Sequence, residues 1–208
     1  MIEILKLQKQ YGQQVILDLP SYQFLPGIHW LKGGNGSGKT TLMRVISGLA
    51  TFSGSIKIKG IDQATSPVAY RNLVSYAEAE PLFPSFLRGT ELINLYQQAR
   101  KGSEQQSGKL LADFGIGGFA NQPVGTFSSG MLKKLSLALA FIGQQQWILL
   151  DEPLVTLEDH ALPTLSSVIQ DHHRNGISFL ITSHQPLDGL GLAVTSVHRI
   201  KDSQLIPA

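Results

Sequence analysis

Gly33-Gly34-Asn35-Gly36-Ser37-Gly38-Lys39-Thr40 has the spacing G-x-x-x-x-G-K-[ST]. The glycines let a backbone wrap phosphate oxygens with torsions that a Cβ forbids. Successive N–H groups then point inward as an anion nest, and the helix that follows adds its positive end. In this pattern Lys39 bridges the outer phosphates as a point charge, and the Thr40 hydroxyl is a magnesium ligand. A second constellation is Trp147-Ile148-Leu149-Leu150-Asp151-Glu152, an apolar run ending in two carboxylates. In a parallel sheet ligands gather beyond the carboxyl ends of the strands. Asp151 is then placed to hold the magnesium and Glu152 to act as general base on an attacking water.

These residues need elements to hold them. Ile28-His29-Trp30-Leu31 is a short apolar run that feeds the glycine-rich loop. Leu42, Val45, Ile46 and Leu49 recur at helical spacing after it. Upstream, Ile2 to Leu7, Val15 to Leu17 and Tyr22 to Phe24 read as strands, with turns at Pro20 and at Pro26-Gly27. Ser55 to Lys59 and Leu73 to Tyr76 read as further strands. Glu91 to Arg100 and Lys109 to Phe114 read as helices, with a polar loop, Lys101 to Ser107, between them. Met131 to Ile142 and Leu162 to His173 are helical, and Ile177 to Thr182 and Val194 to Ile200 are strands. Strands alternating with helices predict a parallel sheet covered by helices. Residues 81–130 read as a helical insertion in this α/β core.

Composition closes off other classes. The 208 residues include no cysteine, which excludes disulfides, thiolate metal sites and cysteine nucleophiles. Lysine and arginine number 17 against 15 acids and are scattered, so no nucleic-acid footprint is expected. The longest apolar stretch, Leu135 to Ile142, stops at Gly143 and three glutamines, well short of the roughly 20 residues that span a bilayer. Met1-Ile2-Glu3-Ile4-Leu5-Lys6 lacks the basic start and apolar run of a signal peptide, so a cytoplasmic location is expected.

Phe127-Ser128-Ser129-Gly130-Met131 by itself reads as a helix cap. Its place between the glycine-rich loop and the Asp151-Glu152 strand gives it more weight, as does Thr182-Ser183-His184 at the end of a later strand. In this order the motifs resemble the ATP-binding subunit of ABC transporters, from about Ile2 to Ile200. Leu31 to Leu42 is similar to that family's phosphate loop, with Gly34 where proline is frequent. Phe127 to Met131 is similar to its signature, usually written LSGGQ. Ser128 and Gly130 match, whereas Phe127, Ser129 and Met131 vary.

The resemblance implies one ABC ATPase domain over residues 1–208. Its expected parts are a phosphate-loop NTPase core with a mostly parallel sheet, an N-terminal antiparallel β subdomain, and the helical subdomain at 81–130. It implies Mg2+ and ATP as cofactors, with Tyr11 stacked on the adenine and Gly33, Gly34, Asn35, Gly36, Ser37, Gly38, Lys39, Thr40 and Thr41 around the phosphates. Two subunits, identical or different, would close head to tail. Ser128, Ser129, Gly130 and Met131 of one would then meet the γ-phosphate held by the other. His184 would contact that phosphate and the water. Separately encoded transmembrane permease subunits are the implied partners. The chain would sit peripherally on the cytoplasmic face of the membrane, in a compact form more like the subunits of exporters than of sugar importers.

Two positions depart from the family. Its magnesium-contacting glutamine aligns with Ala79, and Tyr76 to Pro81 contains no glutamine. Either Glu80 or Glu78 supplies an oxygen to the metal instead, or both are solvated. Leu157-Glu158 stands where Leu-Asp is usual, which adds a methylene to a segment expected at the dimer interface. Neither change removes Lys39, Asp151, Glu152 or His184, so a hydrolysis-competent site is expected. Among the other histidines, His172 and His173 are expected on a solvated helix face, and His29, His160 and His198 receive no role. The alternatives are a soluble ABC ATPase acting on nucleic acid or ribosomes, and a kinase or GTPase. The first usually carries paired cassettes, long arms or zinc modules, none of which is present. A guanine-reading Asn-Lys-x-Asp is also absent.

Overall fold

The computed structural model describes residues 1–208, with side chains described at every position but Asp188. The chain opens with β1 (Ile2–Tyr11), β2 (Gln14–Phe24) and β3 (Ile28–Lys32), and then α1 (Lys39–Ile46). Next come β4 (Ser53–Ile58), β5 (Ile61–Asp62), α2 (Pro67–Arg71) and β6 (Val74–Ala77). Three helices follow: α3 (Gly89–Arg100), α4 (Glu104–Asp113) and α5 (Ser129–Phe141). The rest alternates as β7 (Trp147–Leu150), α6 (Leu162–Arg174), β8 (Ser178–Thr182), β9 (Ser196–Lys201) and β10 (Gln204–Pro207).

The strands form two sheets. A 6-stranded sheet runs β10-β9-β3-β8-β7-β6, parallel except for the edge strand β10. A 4-stranded antiparallel sheet runs β2-β1-β4-β5. β7 shows how both are joined into one body. It is buried on both faces, as parallel central strands are. Ile148 and Leu150 face a core shared with α3 to α6, including Leu135, Phe141, Leu165 and Phe179. Trp147 and Leu149 face the opposite core, where α1 lies with the 4-stranded sheet through Leu42, Val45, Ile46, Leu7 and Ile56.

Two expectations are corrected. Pro20 is no turn: β2 runs through it as one strand. β2 is the sheet edge, where a missing N–H costs no ladder bond. Lys6, the residue opposite, takes a left-handed φ of 49°, and the β1–β2 register is the same on both sides of it, Leu5 on Ser21 and Leu7 on Leu19. The expected polar loop shrinks to three residues, because α4 already starts at Glu104. Ser103 caps it, with its hydroxyl accepting from the Gln106 N–H at 3.1 Å. Three elements unforeseen in the sequence, α2, β5 and β10, are too short for periodicity to reveal.

The histidines also differ from expectation. His172 is not solvated: its ring packs on Phe141 with centroids 4.8 Å apart, and its Nδ1 lies 2.8 Å from the Val168 carbonyl. His29 and His198 are buried, at 2% and 5% exposure, in a polar chain linking both sheets. The Tyr22 hydroxyl lies 2.6 Å from His198 Nδ1, and Ser196 Oγ lies 2.8 Å from His198 Nε2 and 2.7 Å from His29 Nδ1. His29 Nε2 reaches the Leu25 carbonyl at 2.6 Å. The directions close with both rings neutral: Tyr22 donates to His198, His198 to Ser196, Ser196 to His29, and His29 to the carbonyl.

Burial holds both rings below the usual histidine range, and it pushes His198 down to about 4, with the neighbouring His29 charge adding to the shift. The unfolded chain therefore binds protons near pH 6.5 that the folded chain refuses. Stability is full above pH 6.5 and falls as pH drops from there toward 4, by up to ~1.4 kcal/mol per pH unit for one such histidine. Urea midpoints between pH 7.5 and 5 read this directly. The slope is expected to flatten in His198→Asn, and an unchanged slope removes His198 as its source.

Candidate nucleotide site

The loop between β3 and α1 owes its shape to glycine. Gly36 and Gly38 sit at φ 75° and 99°, in the left-handed region. Gly38 also presses on β2, where a Cβ would come 3.1 Å from Ile16 Cγ2. The chain thus turns sharply into α1 with N–H groups free at the helix start. Lys39 is only 6% exposed. Its ammonium donates to the carbonyls of Gly33 and Gly34 at 2.8 and 3.1 Å. It also stands 3.8 Å from Glu152 Oε1, so the loop and the acidic strand end meet at one point.

Beyond β7, Asp151 is 1% exposed and doubly held. It accepts hydrogen bonds from the Tyr76 hydroxyl at 3.0 Å and from the Thr182 hydroxyl. The same Thr182 oxygen accepts the Glu152 N–H at 2.8 Å, so one hydroxyl sets the relation between the two acids. Burial and the Asp151 charge push the Tyr76 hydroxyl far above the ordinary tyrosine range, so it stays a donor. Glu152 takes a left-handed φ of 44°, a strained choice for a side-chain-bearing residue. Its Oε2 accepts the His184 N–H at 3.2 Å. Its Oε1 lies 3.1 Å from His184 Nε2 and is buried without an aligned hydrogen-bond partner. Ser37 Oγ is buried and unpartnered in the same way.

These groups line a pocket of about 330 Å3. Tyr11, Ile16, Asn35, Gly36, Ser37, Gly38, Lys39, Thr40, Thr41, Glu152 and His184 face it. Tyr11 stands half exposed at its rim, with the Lys9 ammonium 4.5 Å over its ring. Asp151 is not among the residues that face the pocket. Gly33 and Gly34 lie at the loop base, where their carbonyls hold Lys39. The structure does not bring every expected residue here. Ser128, Ser129, Gly130 and Met131 stay off this lining. They open α5, where Ser128 Oγ caps the helix by accepting the Met131 N–H at 3.2 Å. Glu80 is exposed and off the lining, while Glu78 lines a different cleft, beside Tyr96 and Arg100.

Sequence reasoning missed Tyr76, Thr182 and Lys133. The Lys133 ammonium donates to the Asp151 carbonyl at 3.2 Å. In the sequence Thr182 reads as the end of a strand and the start of the His184 segment, with no role of its own. The one available signal for Lys133 was a lysine set among Leu132, Leu135 and Leu137 on the helix expected over Met131 to Ile142.

A parallel sheet with a phosphate-cradling loop after β3 and an acidic pair beyond β7 defines a phosphate-loop nucleotide-binding protein. More narrowly, the chain belongs to the ABC transporter family, which it matches over residues 24–155. It is 32% identical over 195 residues to the uncharacterized ABC transporter ATP-binding protein YybJ of Bacillus subtilis, covering 92% of this chain and 89% of that one. Identity to the lantibiotic transport ATP-binding protein SrtF of Streptococcus pyogenes is 30% over 186 residues, covering 88% and 80%. Identity to the cytochrome c biogenesis ATP-binding export protein CcmA of Escherichia coli O157:H7 is 27% over 207 residues, covering 98% and 97%. A solved ATP-binding subunit of an ABC transporter shares the fold with a TM-score of 0.88 at 24% identity, over 99% of this chain and 88% of that one.

Proposed function

We propose that the chain hydrolyses ATP as the motor subunit of an ABC transporter, working in pairs beneath separately encoded membrane subunits. The observation that carries this reading is the convergence of Lys39 and His184 on one buried oxygen, Glu152 Oε1, which has no aligned hydrogen bond. The residues fit a nucleotide with its metal. Among the described residues no cluster of three or more His, Asp or Glu could hold a cation alone. Thr40 and Asp151 would hold Mg2+ together with phosphate oxygens and water, as that ion prefers. When bound, the ion neutralises charge developing on the phosphates.

This chain's own groups do the rest. The loop N–H groups and the start of α1 hold the phosphates, and Lys39 turns from its carbonyls to the outer ones. Glu152 Oε1 takes a proton from the attacking water, and His184 orients that water against the γ-phosphate. Ser128, Ser129, Gly130 and Met131, at the positive end of α5, act on the nucleotide of the second subunit.

No described helix is long and apolar enough to cross a membrane, so the spanning part is assigned to other chains. Their contact is expected near Leu82 and Phe86, which are 91% and 77% exposed between β6 and α3. The subunit then sits on the cytoplasmic face. The name of the similar CcmA, an ATP-binding export protein, supports export as the direction. The test is phosphate release from Mg2+-ATP by the purified protein, alone and with its membrane subunits. Turnover abolished by EDTA is the expected result. Absence of free phosphate in both settings, or phosphate found on an acceptor, overturns the reading.

A further inference from the structure

Lys133, in the second turn of α5, is 1% exposed and makes no ion pair among the described residues. An ammonium buried this deeply is costly unless all its donors are used. Here all three are: to the carbonyls of Glu78 at 3.2 Å, Ala79 at 2.9 Å and Asp151 at 3.2 Å. Burial lowers its pKa to about 8, against the pull of the Asp151, Glu152 and Glu80 charges, so it remains cationic at neutral pH.

The three carbonyls belong to two separate segments. Glu78 and Ala79 follow β6 and lead to the exposed Leu82 and Phe86, whereas Asp151 follows β7 and precedes Glu152. Lys133 itself rides on α5, whose first turn carries Ser129 to Met131. Neither Ala79, with its methyl, nor Glu80, which is exposed, reaches the nucleotide pocket from this loop. A single ammonium therefore joins the acidic strand end, the loop after β6 and α5.

We propose that Lys133 is a positioning residue: it fixes the main chain of Asp151, and so the aim of Glu152, relative to the Glu78–Ala79 segment and the start of α5. It thereby carries movement between the hydrolytic site and the helical face. This rests on the ATPase reading above. Asp151 and Glu152 move as a unit, because Thr182 ties them on one side and Lys133 holds their backbone on the other. Without the ammonium, three carbonyls lose their donor, and the strand end is free to shift by the fraction of an ångström that misaligns a general base.

Lys133→Met keeps the apolar stem and removes the donors. We expect kcat to fall about 10- to 100-fold with KM for ATP within about threefold, because the loss is in alignment and not in phosphate binding. The chain has no cysteine, so Lys133→Cys introduces a single thiol. Alkylating it in the unfolded chain with 2-bromoethylamine and refolding restores an ammonium at lysine length, whereas iodoacetamide leaves a neutral amide. Recovery of kcat with the first reagent alone is expected. Full turnover in Lys133→Met, or equal recovery with both reagents, overturns the proposal.

Amide exchange gives a readout independent of turnover and of refolding. A slowly hydrolysed ATP analogue with Mg2+ is expected to change exchange over 78–81 and 128–134 in the unaltered protein and not in Lys133→Met. The same response in both, or none in the unaltered protein, also overturns it. Lack of phosphate release by the unaltered protein instead counts against the ATPase reading, and the exchange comparison still decides the role of Lys133.

Discussion

Glu152→Gln lowers phosphate release at least about 100-fold while leaving the fold and ATP binding in place, the loss expected when a general base is removed. The side chain is mostly buried between Lys39 and His184. Glutamine has the same shape, and its carbonyl oxygen still accepts the His184 N–H that now meets Oε2. What it cannot do is take a proton from water. Thermal melting is therefore expected to stay within a few degrees, since Lys39 loses a charge at 3.8 Å but keeps its hydrogen bonds to the Gly33 and Gly34 carbonyls. The same variant tests assembly. In the proposed head-to-tail pair, ATP that is bound but not consumed would hold the two subunits closed, so light scattering is expected to show a dimer only with ATP and Mg2+. Turnover above about a tenth of the unaltered rate would remove Glu152 from the role of base. A variant that binds ATP yet stays monomeric would mean that closure needs a different second subunit or the membrane partner.

The second large effect is on affinity. Lys39→Ala is expected to weaken ATP binding about 10- to 150-fold, since charge-assisted hydrogen bonds of this kind contribute roughly 1.5–3 kcal/mol. Lys39 is the one lysine or arginine facing the pocket among the described residues, so nothing nearby replaces its charge. The ammonium now rests on the Gly33 and Gly34 carbonyls, and the loop keeps its glycine-determined shape without it. Phosphate release is expected to vanish along with binding. Titration with a fluorescent ATP analogue measures the shift, and an affinity within about twofold of the unaltered protein would place the phosphates elsewhere. Lys39→Arg is not expected to rescue it, because a planar guanidinium needs more width than this narrow loop leaves.

Much of the site was legible because its demands are local. A loop that must turn through positive φ needs glycine at particular spacings, and Gly36 and Gly38 sit at such angles. A strand buried on both faces must be apolar throughout, and Trp147 to Leu150 is, so the acids after it mark its end without any structure. The ABC family could be named from the order of those motifs, and the match over residues 24–155 agrees. Pro20 was misread for the converse reason: proline signals a turn locally, and only the place of β2 at the sheet edge makes it tolerable inside a strand.

The residues that hold the site together were not legible. Tyr76 reaches Asp151 across 75 positions, Lys133 reaches Ala79 across 54, and His29 meets His198 across 169. No spacing rule covers such separations, because each contact exists only after β3, β6, β7, β8, β9 and α5 have packed. The sequence by itself determined which chemical groups are present and which loops and strands present them. Tertiary structure alone decided which buried donors satisfy which buried acceptors. Desolvation makes that pairing obligatory once the sheets close, and until then it leaves no mark on the order of residues.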